Sequence, residues 1–171
     1  PLIQGCTTVL YEGKPVGTPN AGAFWRVIEA YKVKAIFAAP TAFRAIKKED
    51  PNGEIIKTHD LSCLHTIFVA VERLDPPTYH WLSDKFTLPI IDHWWQTETG
   101  WAIAANMTGI ELLPTKPGSS CVPTPGFNVE ILDDEGKPVS IGVQGNLAIK
   151  LPLPQSCTPG IWMRFARFQA L

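Results

Sequence analysis

The chemistry-bearing residues of this chain crowd into one decapeptide, Asp92-His93-Trp94-Trp95-Gln96-Thr97-Glu98-Thr99-Gly100-Trp101. Three tryptophans lie within eight residues there, interleaved with Gln, Thr, Glu and Thr. Trp is large and rare, so such a group forms either a core cluster or a pocket wall. A purely structural segment has little use for the polar groups between them, since each would need a partner if buried. Thr97 offers a hydroxyl to a phosphate oxygen. Glu98 offers a hard carboxylate, the ligand type Mg²⁺ takes beside substrate phosphates. Gln96 can read a base or ribose edge, and Trp95 can close an apolar pocket.

The elements around the decapeptide must hold it. Residues 88–93 read as a buried strand leading straight into it, and open α/β sheets bind ligands outside the carboxyl ends of their strands. Upstream, the β-branched run CTTVLY at 6–11 predicts a strand. Asn20 can cap a helix to about Val33, with Phe24, Val27, Ile28 and Tyr31 as its apolar stripe. AIFAA at 35–39 suits a strand buried on both faces. A helix from Thr41 to about Glu49 follows, stopped by Asp50-Pro51-Asn52-Gly53. Residues 64–71 form the next strand candidate, and Asp75 caps a helix to about Phe86 with Pro76 and Pro77 in its first turn. The alternation predicts βαβ units: an α/β fold with a mostly parallel sheet and flanking helices over 1–112.

Past that point the pattern changes. Pro114, Pro117, Pro123 and Pro125 punctuate the chain, and FNVEIL (127–132) and GNLAIKL (145–151) alternate at period two. Residues 113–171 therefore read as the start of a small antiparallel β subdomain. The chain has 16 Pro and 13 Gly among 171 residues, and the excess over ordinary usage concentrates at 114–126 and 152–160.

Composition excludes several classes. A net charge of −1 gives no electrostatic reason to expect nucleic acid or an anionic membrane as partner. With 45% hydrophobic and 18% charged residues the chain is not of disordered type. No apolar run approaches the roughly 20 residues a membrane span needs. Cys6, Cys63, Cys121 and Cys157 are scattered, with no CxxC pair, and read as thiols in a reducing compartment. His59, His65, His80 and His93 make no ligand set. The absent initiator Met and the apolar, basic end at 163–171 lead to the expectation that the sequence is cut from something longer.

WWQTETG (94–100) resembles the core signature of the AMP-forming short-chain acyl-CoA synthetases, the acetyl- and propionyl-CoA synthetases of the adenylate-forming superfamily. Four further segments resemble that family in order: APTAFRAI (39–46), AVERLDPPTYHWL (70–82), KPGSSCVPTPGFNVEILDDEG (116–136) and GNLAIKLPLP (145–154), continued at residues 161–162 and 167–168. The resemblance covers essentially the whole chain. It implies a ligase that makes acyl-AMP from a carboxylate and ATP, then transfers the acyl group to CoA, with Mg²⁺ as cofactor. It implies that Thr97 contacts the α-phosphate, that Glu98 holds Mg²⁺, and that Gln96, Glu72, Arg73 and Leu74 line the adenosine site. Trp95, with Val71 and Gly100, would shape an acyl pocket for two or three carbons. Ala39 and Thr41 would lie near the CoA path.

Val71 departs from the family, which usually has Gly there for close backbone approach. The Ser/Thr/Gly-rich phosphate loop, the ribose-binding Asp, its following Arg and the adenylation Lys are not in this sequence. The isolated chain is therefore expected to lack synthetase activity and to need the remainder of the enzyme as its partner. Acetate and propionate both remain open as substrates, as do bacterial cytoplasm and mitochondrial matrix as compartments. Two other readings stand beside this one: a non-catalytic nucleotide- or acyl-binding module derived from such an enzyme, and an unrelated Trp-rich ligand-binding domain.

Overall fold

A computed structural model describes residues 2–155 and 157. The chain divides into two compact units, the first being Pro1–Asp92 with Thr115–Ser119, the second His93–Pro114 with Ser120–Leu171.

The first unit is built on a three-stranded parallel sheet in the order β1-β2-β3. Its strands are β1 (Ala35–Ala38), β2 (Thr66–Val69) and β3 (Ile90–Asp92). Helix α1 (Ala23–Tyr31) precedes β1, α2 (Pro40–Glu49) joins β1 to β2, and α3 (Pro76–Lys85) joins β2 to β3. This is the βαβ succession the alternating pattern predicts. Asp75 caps α3 as expected, its carboxylate accepting from the Thr78 amide at 3.0 Å. Pro76 starts that helix where a missing N–H costs nothing. Asp50 ends α2 and is itself buried, accepting from the amides of Glu54 at 2.7 Å and Ile55 at 2.9 Å. One core cluster fills the unit, with Trp25, Ile28, Phe43, Ile46, Ile67, Leu74 and Leu82 at its centre.

Four sequence expectations shift. No strand forms at residues 6–11, which are exposed throughout. Propensity alone supplies no ladder partner, and a strand needs one. The N-cap of α1 is Gly22, while the Asn20 side chain instead accepts from the Gly22 amide at 3.0 Å and from Arg26 at 2.8 Å. The buried face of α1 carries Trp25, which stacks obliquely on Phe86 at 5.5 Å, and this turns Tyr31 outward to 68% exposure. β1 is not buried on both faces: it lies at the sheet edge, and Phe37 is 55% exposed.

The second unit is antiparallel. β4 (Trp94–Trp95), β5 (Ala102–Ala105) and β6 (Val122–Pro123) form one sheet in that order. β7 (Val129–Leu132) and β8 (Asn146–Ile149) form a second, with Val129 facing Ile149 and Leu132 facing Asn146. The two period-two runs thus pair as expected, about the turn at Asp133, whose carboxylate accepts from the Glu135 and Lys137 amides. Antiparallel pairing starts earlier than the proline cluster, at Trp94, because the short apolar run 102–105 folds back on the Trp pair. Ile103, Phe127 and Cys157 make this unit's small core, with Trp94, Val129 and Ile149 against it. The motif continuations at residues 161–162 and 167–168 lie outside the described residues.

Candidate functional site

Parallel strands end together, so one edge of the first sheet collects three carboxyl termini. Ala38 of β1 pairs with Val69 of β2, and Val69 pairs with Asp92 of β3. The segments that leave this edge are residues 39–41, running into α2, and the loop 70–75, running into α3. Both carry residues singled out from the sequence.

The loop is held one residue at a time. Val71 has φ +85°, a left-handed conformation that a β-branched side chain adopts only under constraint, and is 78% exposed. Glu72 turns its carboxylate to α2: Oε1 accepts from the Thr41 amide at 3.0 Å and from Arg44 Nη2 at 2.7 Å. Arg73 donates from Nε to the Gly118 carbonyl at 2.9 Å. Gly118 has φ +77°, which favours glycine, and a Cβ there would stand 2.5 Å from Nη2 and displace the Arg73 side chain. The Leu74 side chain is wholly buried, and its amide donates to Asp92 Oδ2 at 3.2 Å. Asp75 receives the other arm of Arg44, Nη1 to Oδ2 at 3.0 Å.

Arg44 is therefore a fork between two carboxylates, each 28 to 31 residues away in sequence. It is bonded by both, which raises its own pKa further. Its hydrogen bond holds the Glu72 carboxyl below the usual carboxylate range, against a smaller opposing effect of burial. Burial pushes Asp75 up, but bonds from Thr78 and Arg44 outweigh it and leave that carboxyl lowered as well. Sequence reading assigned Arg44 no role. Its position inside APTAFRAI was visible, but its partners lie in another motif.

Ala39 and Thr41 occupy the N-terminal turn of α2. Ala39 is the N-cap residue and offers no side-chain cap. The Glu72 carboxylate supplies from across the fold what a local Ser or Asp would ordinarily provide, and it adds negative charge at the helix N-terminus.

In the second unit the tryptophan segment is a hairpin. β4 and β5 pair antiparallel, Trp94 opposite Ala104 and Trp95 opposite Ala102. Between them Thr97–Thr99 makes a single 3-10 turn with Gln96 as N-cap, and Gly100 closes it at φ +64°. Thr99, which sequence reading left without a role, staples this turn. Its buried hydroxyl accepts from the Gln96 amide at 3.1 Å and lies 2.9 Å from the Gln96 carbonyl and 2.8 Å from that of Trp101. A threonine three residues after a polar residue is the local signal that marks such a turn. Gln96, Thr97 and Glu98 are exposed on it, and Trp95 is 37% exposed. Cys157 adds a weak contact to the Thr99 carbonyl at 3.6 Å.

Among the described residues no group of three or more His, Cys, Asp or Glu could hold a metal by itself. A single exposed carboxylate such as Glu98 nonetheless fits Mg²⁺, which is commonly held by one or two carboxylates together with substrate phosphates. No helix among the described residues is long and apolar enough to cross a membrane.

Comparison with known proteins places these features in context. The profile of the AMP-binding enzyme family matches residues 1–162. The chain is 46% identical over its full length to the mitochondrial acyl-CoA synthetase short-chain family member 3 of Homo sapiens, covering 25% of it. It is 43% identical to the propionate–CoA ligase of Escherichia coli K12, over 98% of this chain and 26% of that protein. It thus spans about a quarter of the length of the curated relatives it matches. The crystal structure of an anthranilate CoA ligase with anthranoyl-AMP superposes on it with a TM-score of 0.77, at 26% identity, covering 97% of this chain and 29% of that one.

Proposed function

The chain belongs to the AMP-binding enzyme family, and on that footing we propose that it is a segment of an ATP-dependent, AMP-forming short-chain acyl-CoA synthetase acting on propionate or acetate. The observation that carries this reading is the stapled hairpin turn, which presents Gln96, Thr97 and Glu98 outward beside a half-open Trp95. Thr97 donates its hydroxyl to the α-phosphate, where charge gathers as the carboxylate attacks. Glu98 holds Mg²⁺, which when bound offsets the negative charge of the phosphates. Trp95 limits the acyl pocket to short chains, with Gly100 of the same turn beside that role. In the loop 71–75 the Glu72 carboxylate is already engaged and the Leu74 side chain buried. The nucleotide is therefore read by the loop's backbone, and Arg73, whose Nε is bonded to the Gly118 carbonyl, lines the site. Thr41 and Ala39 flank the path of the CoA arm.

ATP–pyrophosphate exchange tests this. A full-length protein carrying this segment should exchange with propionate or acetate, and the 171-residue chain alone should not rise above background. Failure of the full-length protein with both acids overturns the ligase reading. The second reading, a non-catalytic nucleotide-binding module, draws on Val71 and its strained, exposed position. ATP binding by the full-length protein without any exchange would favour it.

A further inference from the structure

We infer that Arg44 is a positioning residue that sets the nucleotide loop and the CoA-path helix turn together, through Glu72. The inference rests on the roles proposed above for loop 71–75 and for Thr41. Four observations carry it. First, α2 begins on Ala39 without a side-chain cap, so its first turn has no local side-chain acceptor for the Thr41 amide. Second, the Glu72 carboxylate fills that place, accepting from the Thr41 amide at 3.0 Å. Third, Arg44, one turn further along α2, holds the same oxygen at 2.7 Å and reaches Asp75, the cap of α3, at 3.0 Å. Fourth, the loop between these contacts contains Val71 at φ +85°. A β-branched residue stays in that region only when its surroundings over-determine it.

The geometry makes one fork serve two subsites. If Arg44 releases Glu72, the carboxylate is free to leave the Thr41 amide, and loop 71–75 and the α2 N-terminus lose their shared anchor. Neither Arg44 nor Asp75 need touch a substrate for this to matter. A planar guanidinium can satisfy two carboxylates at fixed angles, and a lysine ammonium cannot reproduce both bonds. The carboxylic acid substrate is assigned to Trp95 and Gly100 of the hairpin turn, which carries none of the fork's bonds.

The test uses the full-length protein carrying this segment, as wild type, Arg44→Ala, Arg44→Lys and Glu72→Gln. Michaelis constants are measured separately for ATP, CoA and propionate, with thermal unfolding alongside. For Arg44→Ala the expected result is a rise of about tenfold in KM for both ATP and CoA. KM for propionate should change by less than about twofold. Arg44→Lys should show a smaller rise than Arg44→Ala, and Glu72→Gln, which keeps an acceptor for Thr41, should raise KM for CoA less than KM for ATP. A fall in kcat that tracks lost folded protein, with all three constants unchanged, overturns the inference and leaves Arg44 a stability residue only. If the wild type makes no acyl-CoA, the functional reading fails instead. Amide hydrogen exchange at Thr41 in the same proteins then decides the fork: faster exchange in Arg44→Ala supports it, and unchanged exchange overturns it.

Discussion

Two loops carry the residues expected to meet substrate, and they are held in opposite ways. The loop 71–75 is fastened by long-range bonds, Glu72 and Asp75 to Arg44, Arg73 to Gly118 and Leu74 to Asp92. The hairpin turn 96–100 is fastened to itself, through the Thr99 hydroxyl and three backbone groups of its own turn. In the first, both acidic side chains are consumed by the scaffold. In the second, the buried Thr99 hydroxyl and the Gln96 side chain cap the turn between them, and Thr97 and Glu98 remain exposed. A local staple leaves neighbouring side chains available, whereas a distributed clamp couples distant segments.

The largest effect should come from cutting the local staple. Thr99→Val preserves shape and branching but removes the hydroxyl, and leaves the Gln96 amide without its acceptor in a part-buried turn. The expected loss is about 2 kcal/mol, read as a lower urea midpoint. Thr97→Val, two residues away but exposed, should stay within about 0.5 kcal/mol of wild type. Equal losses from the two would erase the distinction between fastener and presented side chain.

The two loops also differ in how far the sequence reveals them. The βαβ order, the Asp75 cap and the Asp50 stop were legible because each is a local matter of periodicity, proline placement and a carboxylate beside free amides. The polar residues interleaved with tryptophan at 92–101 stood out for the same reason, and the roles given to them remain the proposal. The hairpin that presents them was not legible: β4 has two residues, and an Ala-Ile-Ala-Ala run carries no alternation to mark a partner. Residues 6–11 erred the other way, with strong strand propensity and no strand formed. Arg44 was the hardest to see, since its carboxylates lie 28 and 31 residues distant and nothing local to α2 points to them. What is local is a need rather than a partner: a helix opening Ala-Pro-Thr without a capping side chain takes an acceptor from elsewhere.

A smaller effect, of opposite sign, tests whether the clamped loop stores strain. Val71 occupies φ +85°, where a residue with a branched Cβ is penalised by about 1–2 kcal/mol. Glycine removes that penalty but returns roughly 0.5–1 kcal/mol through its greater freedom when unfolded. Val71→Gly should therefore stabilise by up to about 1 kcal/mol, seen as a higher urea midpoint at unchanged slope. Because the valine side chain is 78% exposed, it has little packing to lose. Destabilisation would mean that Val71 makes contacts worth more than its strain.

The smallest effect belongs to the clamp's charges, and its pH dependence gives it away. Arg44 and Glu72 are each more than a third exposed, so solvent screening keeps their pair below about 1 kcal/mol. Arg44→Met keeps the aliphatic stem and removes only the fork, so the comparison isolates the charge. Glu72 and Asp75 both titrate below their ordinary values in the folded protein. The unfolded chain therefore binds more protons between the two sets of values, and stability rises with pH there. The stabilisation is complete above the ordinary carboxylate range near about pH 4. It disappears as pH falls through the depressed values. Asp60, held at about 2 chiefly by bonds from Ser62, titrates in both proteins and cancels in the difference. Urea unfolding of wild type and Arg44→Met should show a gap at pH 7 that closes as pH falls below the ordinary carboxylate range and through the depressed values. A gap that stays constant across that window would mean that the guanidinium acts by packing, and the contrast between clamp and staple would lose its electrostatic half.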